Sequence, residues 1–269
     1  MSRTIGIIGT GSLGEQLAKM LIKRPDNGLS ELSVIGSVRR QSRKQEILDQ
    51  LGSKIILFED NKQVAVKSDL IILSVKPSQM RDVCKEISPT LLNTVPIISV
   101  AAAVPLDKLH EWLPVTNTII RCMPNVACSV GAGLSVYYSK SAYADALMHN
   151  IFAPNLVLPV STDEQVDVST LIAGSGPAFF AWYSECLKRI GEGKISKEIL
   201  ARMIAQTMKG TAEMLGVNSA EEIIRSVASP KGATEAALFS LNYNKIDKEI
   251  NVALLTAQRR IESIVSTLE

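Results

Sequence analysis

The stretch Ile5-Gly6-Ile7-Ile8-Gly9-Thr10-Gly11-Ser12-Leu13-Gly14 decides the fold, because a short apolar run leads directly into three glycines spaced G-x-G-x-x-G. The run predicts a buried parallel strand, and apolar residues recur at helical spacing from Leu13 to Leu21. The glycines therefore lie where a strand turns into a helix, which is the context that a dinucleotide-binding fingerprint requires. The alternative is a glycine-rich turn without a ligand.

Each glycine has a separate part in that fingerprint. Gly9 allows the tight turn, Gly11 lets the backbone approach a pyrophosphate, and Gly14 lets the helix pack closely on the strand. The helix N-terminus attracts the anion with its N–H groups and its dipole. We therefore expect cofactor contacts from Gly9, Thr10, Gly11, Ser12 and Leu13.

Length, composition and charge restrict the class of protein. The chain has 269 residues, of which 46% are hydrophobic and 21% charged, which is typical of a soluble globular protein with two modest domains or one large one. The net charge of +2 gives no reason to expect nucleic acid as a partner. The four cysteines lack C-x-x-C spacing and the two histidines are far apart, so we predict no metal site and reduced thiols in a cytoplasmic protein.

Two further segments bear on targeting. The chain enters its first strand at once, so we expect no signal peptide. Residues 87–106 carry no charge and are long enough to span a membrane, but they contain Pro89, Pro96 and Pro105. We interpret the segment as a helix end, a turn, a buried strand and a second turn, and we expect no membrane contact.

The end of the second predicted strand, 32–37, favours NADP(H) over NAD(H). Many NAD enzymes place Asp or Glu there to bind the ribose 2′-hydroxyl. This chain has Ser37, followed by Arg39, Arg40 and Arg43. A hydroxyl and guanidinium groups bind a 2′-phosphate, which an acidic residue repels. The alternative is a solvated basic helix start.

Further apolar segments predict the rest of a doubly wound parallel sheet in an α/β fold. The predicted strands are 55–58, 69–75, 97–100 and 119–121, with extended segments at 131–138 and 156–160. Residues 122–125 are predicted to form a turn at the same edge of the sheet as the other strand ends.

Ligands of such sheets bind beyond the carboxyl ends of the strands. Val75 ends the fourth predicted strand, Lys76 and Pro77 follow it directly, and Ala101 and Ala102 follow the fifth. Lys76 is therefore placed to meet a phosphate or ribose, and small side chains would let a flat nicotinamide lie close to the backbone. A plain surface lysine and small residues for helix packing are the alternatives.

Helical periodicity replaces the alternating pattern near residue 161, so we predict a nucleotide-binding domain over 1–161 and a helical domain over 162–269. Two apolar stripes run from Leu200 to Leu215 and from Ile246 to Leu268. A small bundle would struggle to hide that much apolar surface alone, so we expect the helices to pack on a second copy in a homodimer. The alternative is packing on the nucleotide-binding domain only.

A second candidate site is Ser229-Pro230-Lys231-Gly232-Ala233-Thr234, which predicts a turn that opens a helix. The N–H groups of residues 232–234 would then point outward at a helix N-terminus, where a small carboxylate binds. Thr234 would place a hydroxyl beside the anion. An ordinary capped helix start is the alternative.

Together these segments resemble pyrroline-5-carboxylate reductases, along nearly the whole chain and in the family's order. The stretches that carry the resemblance are 9–14, 75–77, 99–102, 121–125, 174–178 and 229–234. The resemblance implies an N-terminal Rossmann domain and an all-helical dimerisation domain that interlocks with its partner. It also implies an active site between the nucleotide domain of one subunit and the helices of the dimer. Family members often assemble further, into rings of dimers.

The activity that the resemblance implies is reduction of 1-pyrroline-5-carboxylate to L-proline, the last step of proline biosynthesis, with NADPH or NADH as the hydride source. On the cofactor side, Ser37 and Arg39 match the region that holds the 2′-phosphate, and Asn61 matches an asparagine on the cofactor ribose. The matches nearer the nicotinamide are Lys76 and Pro77, which line the cleft, and Ala101 and Ala102, which lie near the nicotinamide ribose.

On the substrate side, the matching loop grips the carboxylate through Ser229, Gly232, Ala233 and Thr234. Thr234 matches the threonine whose hydroxyl contacts the ring nitrogen. No His, Asp or Glu in the matched motifs is an obvious general acid, so we assign Thr234 to orienting that nitrogen and relaying a proton.

Three positions depart from the family pattern. Many relatives have glycine where this chain has Ala103 and Lys231, and threonine where it has Val126. These departures bear on substrate choice more than on the fold, and they keep two other functions open. One is an NADP-binding relative without catalysis, with a regulatory or structural role. The other is a reductase of other cyclic imines or of hydroxyacids.

Overall fold

The computed structural model describes residues 3–23 and 32–267. The chain divides into two compact units. The first runs to Pro177 and resumes at Gln258, and the second spans Ala178–Ala257. The domain boundary at residue 161 stays a prediction.

Within the described residues, the first unit contains an eight-stranded sheet. Its strands are β1 (Arg3–Ile8), β2 (Leu32–Ser37), β3 (Ile56–Phe58), β4 (Leu70–Leu73), β5 (Ile97–Ser99), β6 (Ile119–Pro124), β7 (Leu134–Tyr138) and β8 (Leu156–Pro159). They lie in the order β3-β2-β1-β4-β5-β6-β7-β8. Strands β1 to β6 are mutually parallel, β7 is antiparallel to β6, and β8 is parallel to β7. The predicted parallel sheet is confirmed, with a reversed pair added at one edge.

Helices cover this sheet and continue through the second unit. They are α1 (Ser12–Ile22), α2 (Gln41–Leu51), α3 (Asn61–Val66), α4 (Pro77–Ile87), α5 (Leu106–Trp112), α6 (Ala144–Phe152), α7 (Asp163–Ser169), α8 (Gly176–Gly191), α9 (Lys197–Leu215), α10 (Ala220–Val227), α11 (Ala233–Tyr243) and α12 (Ile246–Ser266). A π-helical turn, Thr170–Gly174, leads from α7 towards α8. No helix within these described ranges is long and apolar enough to cross a membrane.

The central strand β4 is a continuous apolar run because both faces of the sheet are buried there. The Leu-Ile-Ile-Leu sequence of β4 is buried at every position, as expected for a strand covered on both sides. One core cluster contains Ile72 with Leu17 of α1, and a second contains Ile71 with Met80 of α4. Alternate residues of β4 therefore anchor helices on opposite faces.

The prediction of a turn at residues 122–125 is wrong for the first three of them. Cys122, Met123 and Pro124 continue β6, because each is paired with a residue of the antiparallel strand β7. The chain leaves the sheet only at Asn125, before a 3₁₀ turn over Val126–Val130. The sequence shows no local sign of this extension, since it depends on a partner strand further along the chain.

The helices of the second unit keep much of their apolar surface exposed. Leu200 is the one buried residue of α9, and α10 and α11 have none. The exposed large side chains include Phe180, Trp182, Tyr183, Met203, Leu215, Phe239, Tyr243 and Leu255. Apolar surface of this extent marks an interaction site.

Candidate cofactor and substrate sites

The strand order of the sheet reverses between β1 and β4, and ligands of open α/β sheets bind at such a reversal. Gly9 follows β1 directly, and the N–H of Ser74, just past β4, donates to the carbonyl of Ile8 at 2.8 Å. Val75 lies against the glycine turn, followed by the exposed Lys76 and by Pro77 at the start of α4. The structure therefore brings two predicted cofactor segments together at this edge.

Two of the fingerprint glycines are required by close packing. Gly9 has a φ of +88°, and a Cβ atom there would lie 2.5 Å from Cγ1 of Val75 and 3.0 Å from the carbonyl oxygen of Ser74. At Gly14, a Cβ would lie 2.7 Å from the carbonyl oxygen of Gly9. The roles predicted for both glycines, a tight turn and close helix packing, are confirmed.

The start of α1 is open to an anion. Gly11 is exposed, and a Cβ there would meet no atom nearer than 4.0 Å. Gly11 is the N-cap, and within the part of the chain described no side chain caps this helix. The N–H groups of Ser12 and Leu13 have no acceptor within the helix because they lie in its first turn. Accessible backbone and free donors fit the pyrophosphate of a dinucleotide.

The end of β2 is tied to the glycine turn. The hydroxyl of Ser37 accepts the N–H of Gly9 at 3.1 Å, and its carbonyl accepts the N–H of Thr10 at 2.9 Å. Ser37 and Thr10 are each only 2% exposed. Ser37 therefore holds the turn in place, and its contact with a 2′-phosphate stays a prediction.

The three arginines after β2 differ in their surroundings. Arg39 and Arg40 are exposed. The guanidinium of Arg43 instead pairs with Glu15 of α1, and it also bonds Glu46 at 2.9 Å. Arg43 thus joins α1 to α2, which leaves Arg39 and Arg40 as the cations available to a ligand.

Glu15 is a buried carboxylate between two cations. Its second partner is Lys19, with Nζ at 2.5 Å from Oε1. Burial alone raises the pKa of this carboxyl, but the hydrogen bonds and charges of Lys19 and Arg43 outweigh burial and hold the pKa below its ordinary value of 4.5. The ionised form is therefore the one that stabilises the fold.

We expect Glu15→Gln to lower the free energy of unfolding by about 1–3 kcal/mol near neutral pH, because it removes a buried partner of two cations. A carboxyl with a lowered folded-state pKa contributes stability that is complete above the unfolded-state value, 4.5, and is lost as the pH falls through the folded-state value. The difference between variant and wild type should therefore shrink as the pH falls below 4.5.

Urea unfolding at a series of pH values measures this difference. Glu46→Gln is the matched control, because it removes the more exposed partner of the same Arg43. A difference that stays constant from neutral to acidic pH would contradict the assignment to Glu15.

Asn61, predicted to contact the cofactor ribose, begins α3 and is 5% exposed. Its Nδ2 donates to Oε2 of Glu86 in α4 at 2.9 Å. The same carboxylate oxygen lies 3.8 Å from Nη2 of Arg39. Sequence reasoning missed Glu86, which is 25 residues from Asn61 and belongs to no recognised motif. The ribose contact of Asn61 stays a prediction.

An ion-pair network around the buried Arg121, which sequence reasoning also missed, holds the loop after β5. Arg121 of β6 is 1% exposed, and its guanidinium donates to Oδ1 of Asp163 at 2.7 Å and to Oδ1 of Asp167 at 2.6 Å. Asp167 also accepts the N–H of Ala103 at 3.2 Å, and Asp163 accepts that of Leu106 at 2.8 Å. The sequence did contain two signals of this network. One is an arginine inside an otherwise apolar strand, and the other is a pair of aspartates four residues apart.

This network positions the predicted nicotinamide segment. Ala101 is buried and Ala102 half-buried, directly before the anchored Ala103. Ala103 has a φ of +60°, and Lys231 in the candidate substrate loop has a φ of +59°. Left-handed backbone favours glycine, so the geometry accounts for glycine in relatives at both positions. Nothing in the structure explains Val126.

The candidate substrate loop lies in the second unit and leads into α11, as predicted. The N–H of Gly232 donates to the carbonyl of Ser229 at 2.9 Å within the loop, so it does not point outward as predicted. The N–H of Lys231 donates to Oε2 of Glu235 at 2.7 Å. The first-turn N–H groups of Ala233 and Thr234 remain, since no described side chain caps α11.

No metal centre is evident among the residues that the structure describes. Residues 3–23 and 32–267 contain no group of three or more His, Cys, Asp or Glu side chains that could hold a metal ion. All four cysteines are free thiols.

Comparison with known proteins links both units to one family. A family model described as pyrroline-5-carboxylate reductase dimerisation matches residues 163–264, and one described as NADP oxidoreductase coenzyme F420-dependent matches residues 4–103. The pyrroline-5-carboxylate reductase of Corynebacterium melassecola is 30% identical, over 90% of this chain and 92% of its own. That of Pseudomonas aeruginosa is 29% identical, over 98% and 97%.

A solved structure shows the same fold. The crystal structure of Plasmodium falciparum pyrroline carboxylate reductase with NADP bound superposes with a TM-score of 0.84. The identity is 23%, and the similarity covers 98% of each chain.

Proposed function

The chain belongs to the pyrroline-5-carboxylate reductase family, and from that premise we propose that it reduces 1-pyrroline-5-carboxylate to L-proline, the last step of proline biosynthesis. The observation that carries the proposal is the glycine turn at the reversal of the sheet, with an uncapped helix N-terminus behind it. The substrate of the reaction is then inferred from the family to which the chain belongs.

NADPH, with NADH as the second possible cofactor, supplies a hydride from nicotinamide C4 to the C=N carbon when it is bound. Ser12 and Leu13 offer N–H groups to the pyrophosphate beside Gly11. Arg39 and Arg40 offer guanidinium groups to a 2′-phosphate. Further along the sheet edge, the proposed cofactor contacts are Asn61, Val75, Lys76, Pro77, Ala101 and Ala102, while Gly9, Thr10 and Ser37 hold the turn.

The loop at the start of α11 takes the substrate. The N–H groups of Ala233 and Thr234 bind its carboxylate, at the positive end of the helix dipole. Ser229 and Gly232 shape the loop through their own hydrogen bond. The hydroxyl of Thr234 orients the ring nitrogen and relays the proton that it needs, without acting as a strong acid. The protein mainly aligns the reacting groups.

We further propose a cytoplasmic homodimer that assembles through the helical domain, 162–269, and can extend to a ring of dimers. The exposed aromatic residues Phe180, Trp182 and Tyr183 of α8 support this. Large exposed aromatics are enriched at interfaces.

NADPH oxidation, followed by absorbance, tests the activity. Oxidation with 1-pyrroline-5-carboxylate supports the proposal. Turnover only with other cyclic imines or with hydroxyacids would assign a different reductase, and NADPH binding without turnover on any of them would assign a non-catalytic relative.

We expect Thr234→Ala to lower kcat for proline formation by about 10- to 100-fold, because the ring nitrogen loses its hydroxyl partner. The affinity for NADPH should stay within about twofold, since the loop belongs to the substrate. Thr234→Ser, which keeps a hydroxyl, is the matched control and should retain most of the turnover. Unchanged proline formation in Thr234→Ala would show that the residue has no such role.

A further inference from the structure

We propose that Glu86 weakens the preference of this chain for NADPH over NADH, by placing a negative charge beside the guanidinium that receives the 2′-phosphate. The inference rests on the proposed function, in which Arg39 binds that phosphate. It adds a specificity-determining residue that lies outside every motif of the sequence.

The geometry places Glu86 next to two proposed cofactor residues at once. Its Oε2 accepts Nδ2 of Asn61 at 2.9 Å and lies 3.8 Å from Nη2 of Arg39. The side chain of Glu86 is 31% exposed and that of Arg39 is 64% exposed. The hydrogen bond from the buried Asn61 therefore holds the carboxylate at the rim of the site, next to the more exposed arginine.

Glu86 affects Arg39 through its charge and not by fixing its orientation. A separation of 3.8 Å is too long for a hydrogen bond, so the carboxylate does not fix the guanidinium in one position. Opposite charges at that distance still attract appreciably near a protein surface. Among the described residues Glu86 forms an ion pair with Arg39 alone, whereas the neighbouring Glu59 is paired with Lys44.

A 2′-phosphate brings a charge of about −2 to this position. It must compete with Glu86 for Arg39, and it is repelled directly by the carboxylate. NADH carries a hydroxyl at the same place and meets neither effect. The charge of Glu86 therefore lowers the affinity for NADPH but not that for NADH. The ratio of the Kd for NADPH to the Kd for NADH measures this effect.

Glu86→Gln removes the negative charge but keeps the size and shape of the side chain. Its amide oxygen can still accept the hydrogen bond from Asn61. Isothermal titration calorimetry on the full chain without substrate would give the Kd of NADPH and of NADH. We expect the Kd of NADPH to fall by about 3- to 10-fold at low salt, and that of NADH to change by less than about twofold. The gain should shrink at high salt, because the affected groups are partly exposed.

Two further variants decide between the outcomes. Glu111→Gln removes an exposed carboxylate that pairs with Lys108, and it should change neither Kd. Arg39→Gln should lower the preference for NADPH. If it does so while Glu86→Gln leaves the ratio unchanged or lowers it, the inference about Glu86 is overturned and the proposed role of Arg39 stands. If neither variant changes the ratio, the assignment of the 2′-phosphate to Arg39 fails, and the inference fails with it.

Discussion

Arg121→Met is expected to lower the free energy of unfolding by about 3–5 kcal/mol, because it removes a buried cation and leaves two partly buried carboxylates without their partner. Arg121 is 1% exposed and bonds both Asp163 and Asp167. The same carboxylates anchor the N–H groups of Ala103 and Leu106. The loop that carries the predicted nicotinamide contacts should therefore lose its anchor, and activity should fall with stability.

Urea unfolding of the variant measures the loss. Lys140→Met is the matched control, because it breaks an exposed ion pair in which Nζ of Lys140 lies 2.9 Å from Oδ1 of Asp107. Exposed pairs contribute about 0.2–1 kcal/mol, so its effect should be several times smaller. The triple variant Arg121→Met, Asp163→Asn, Asp167→Asn should regain part of the stability, because it removes the unpaired charges. A loss in Arg121→Met no larger than that in Lys140→Met would refute the argument from burial.

Gly9→Ala should lower the free energy of unfolding by about 2–4 kcal/mol and weaken NADPH binding at least tenfold. A left-handed conformation costs a residue with a side chain about 1–2 kcal/mol, and overpacking costs about 1–3 kcal/mol. The new Cβ would lie 2.5 Å from Cγ1 of Val75 and 3.0 Å from backbone atoms of Ser74, which cannot move without shifting β4. The turn would have to open, and with it the approach to the start of α1.

Gly52→Ala separates the cost of a positive φ from the cost of a steric clash with the new Cβ. Gly52 also has a positive φ, +59°, but a Cβ there would meet no atom within 4 Å. We expect it to cost about 1 kcal/mol and to leave NADPH affinity unchanged. Thermal unfolding and calorimetric titration of both variants provide the comparison. Equal effects of the two substitutions would mean that the packing of Gly9 against β4 is unimportant.

The α/β fold could be predicted because its determinants are local in the sequence. The short apolar runs within β1 and β4 predict buried strands, and the glycines between β1 and α1 predict a turn with close packing. The loop from Ser229 to Thr234 is local in the same sense, since a turn and the start of α11 are encoded by neighbouring residues.

Where the prediction failed, the cause was a backbone contact that residue types alone do not reveal. Residues 122–124 are strand and not turn, because β7 pairs with them. The N–H of Gly232 is occupied because the turn closes on the carbonyl of Ser229, a detail of backbone geometry that residue types do not reveal. The hydroxyl of Ser37 accepts the N–H of Gly9, a contact between the ends of β2 and β1 that the sequence did not indicate, and its contact with a 2′-phosphate stays a prediction.

By itself, the sequence of this protein determined most of the order of strands and helices, the nucleotide-binding turn and the family, because each is carried by short motifs whose own residues lie close together in the chain. Only the tertiary structure decided which charges meet. In the folded chain Arg121 pairs with Asp163 and Asp167. Arg43 pairs with Glu15 and is therefore not available to a ligand. Glu86 lies beside Asn61 and Arg39. Such pairings depend on how helices dock on the sheet, and electrostatic interactions act through space, so spacing along the chain does not specify them.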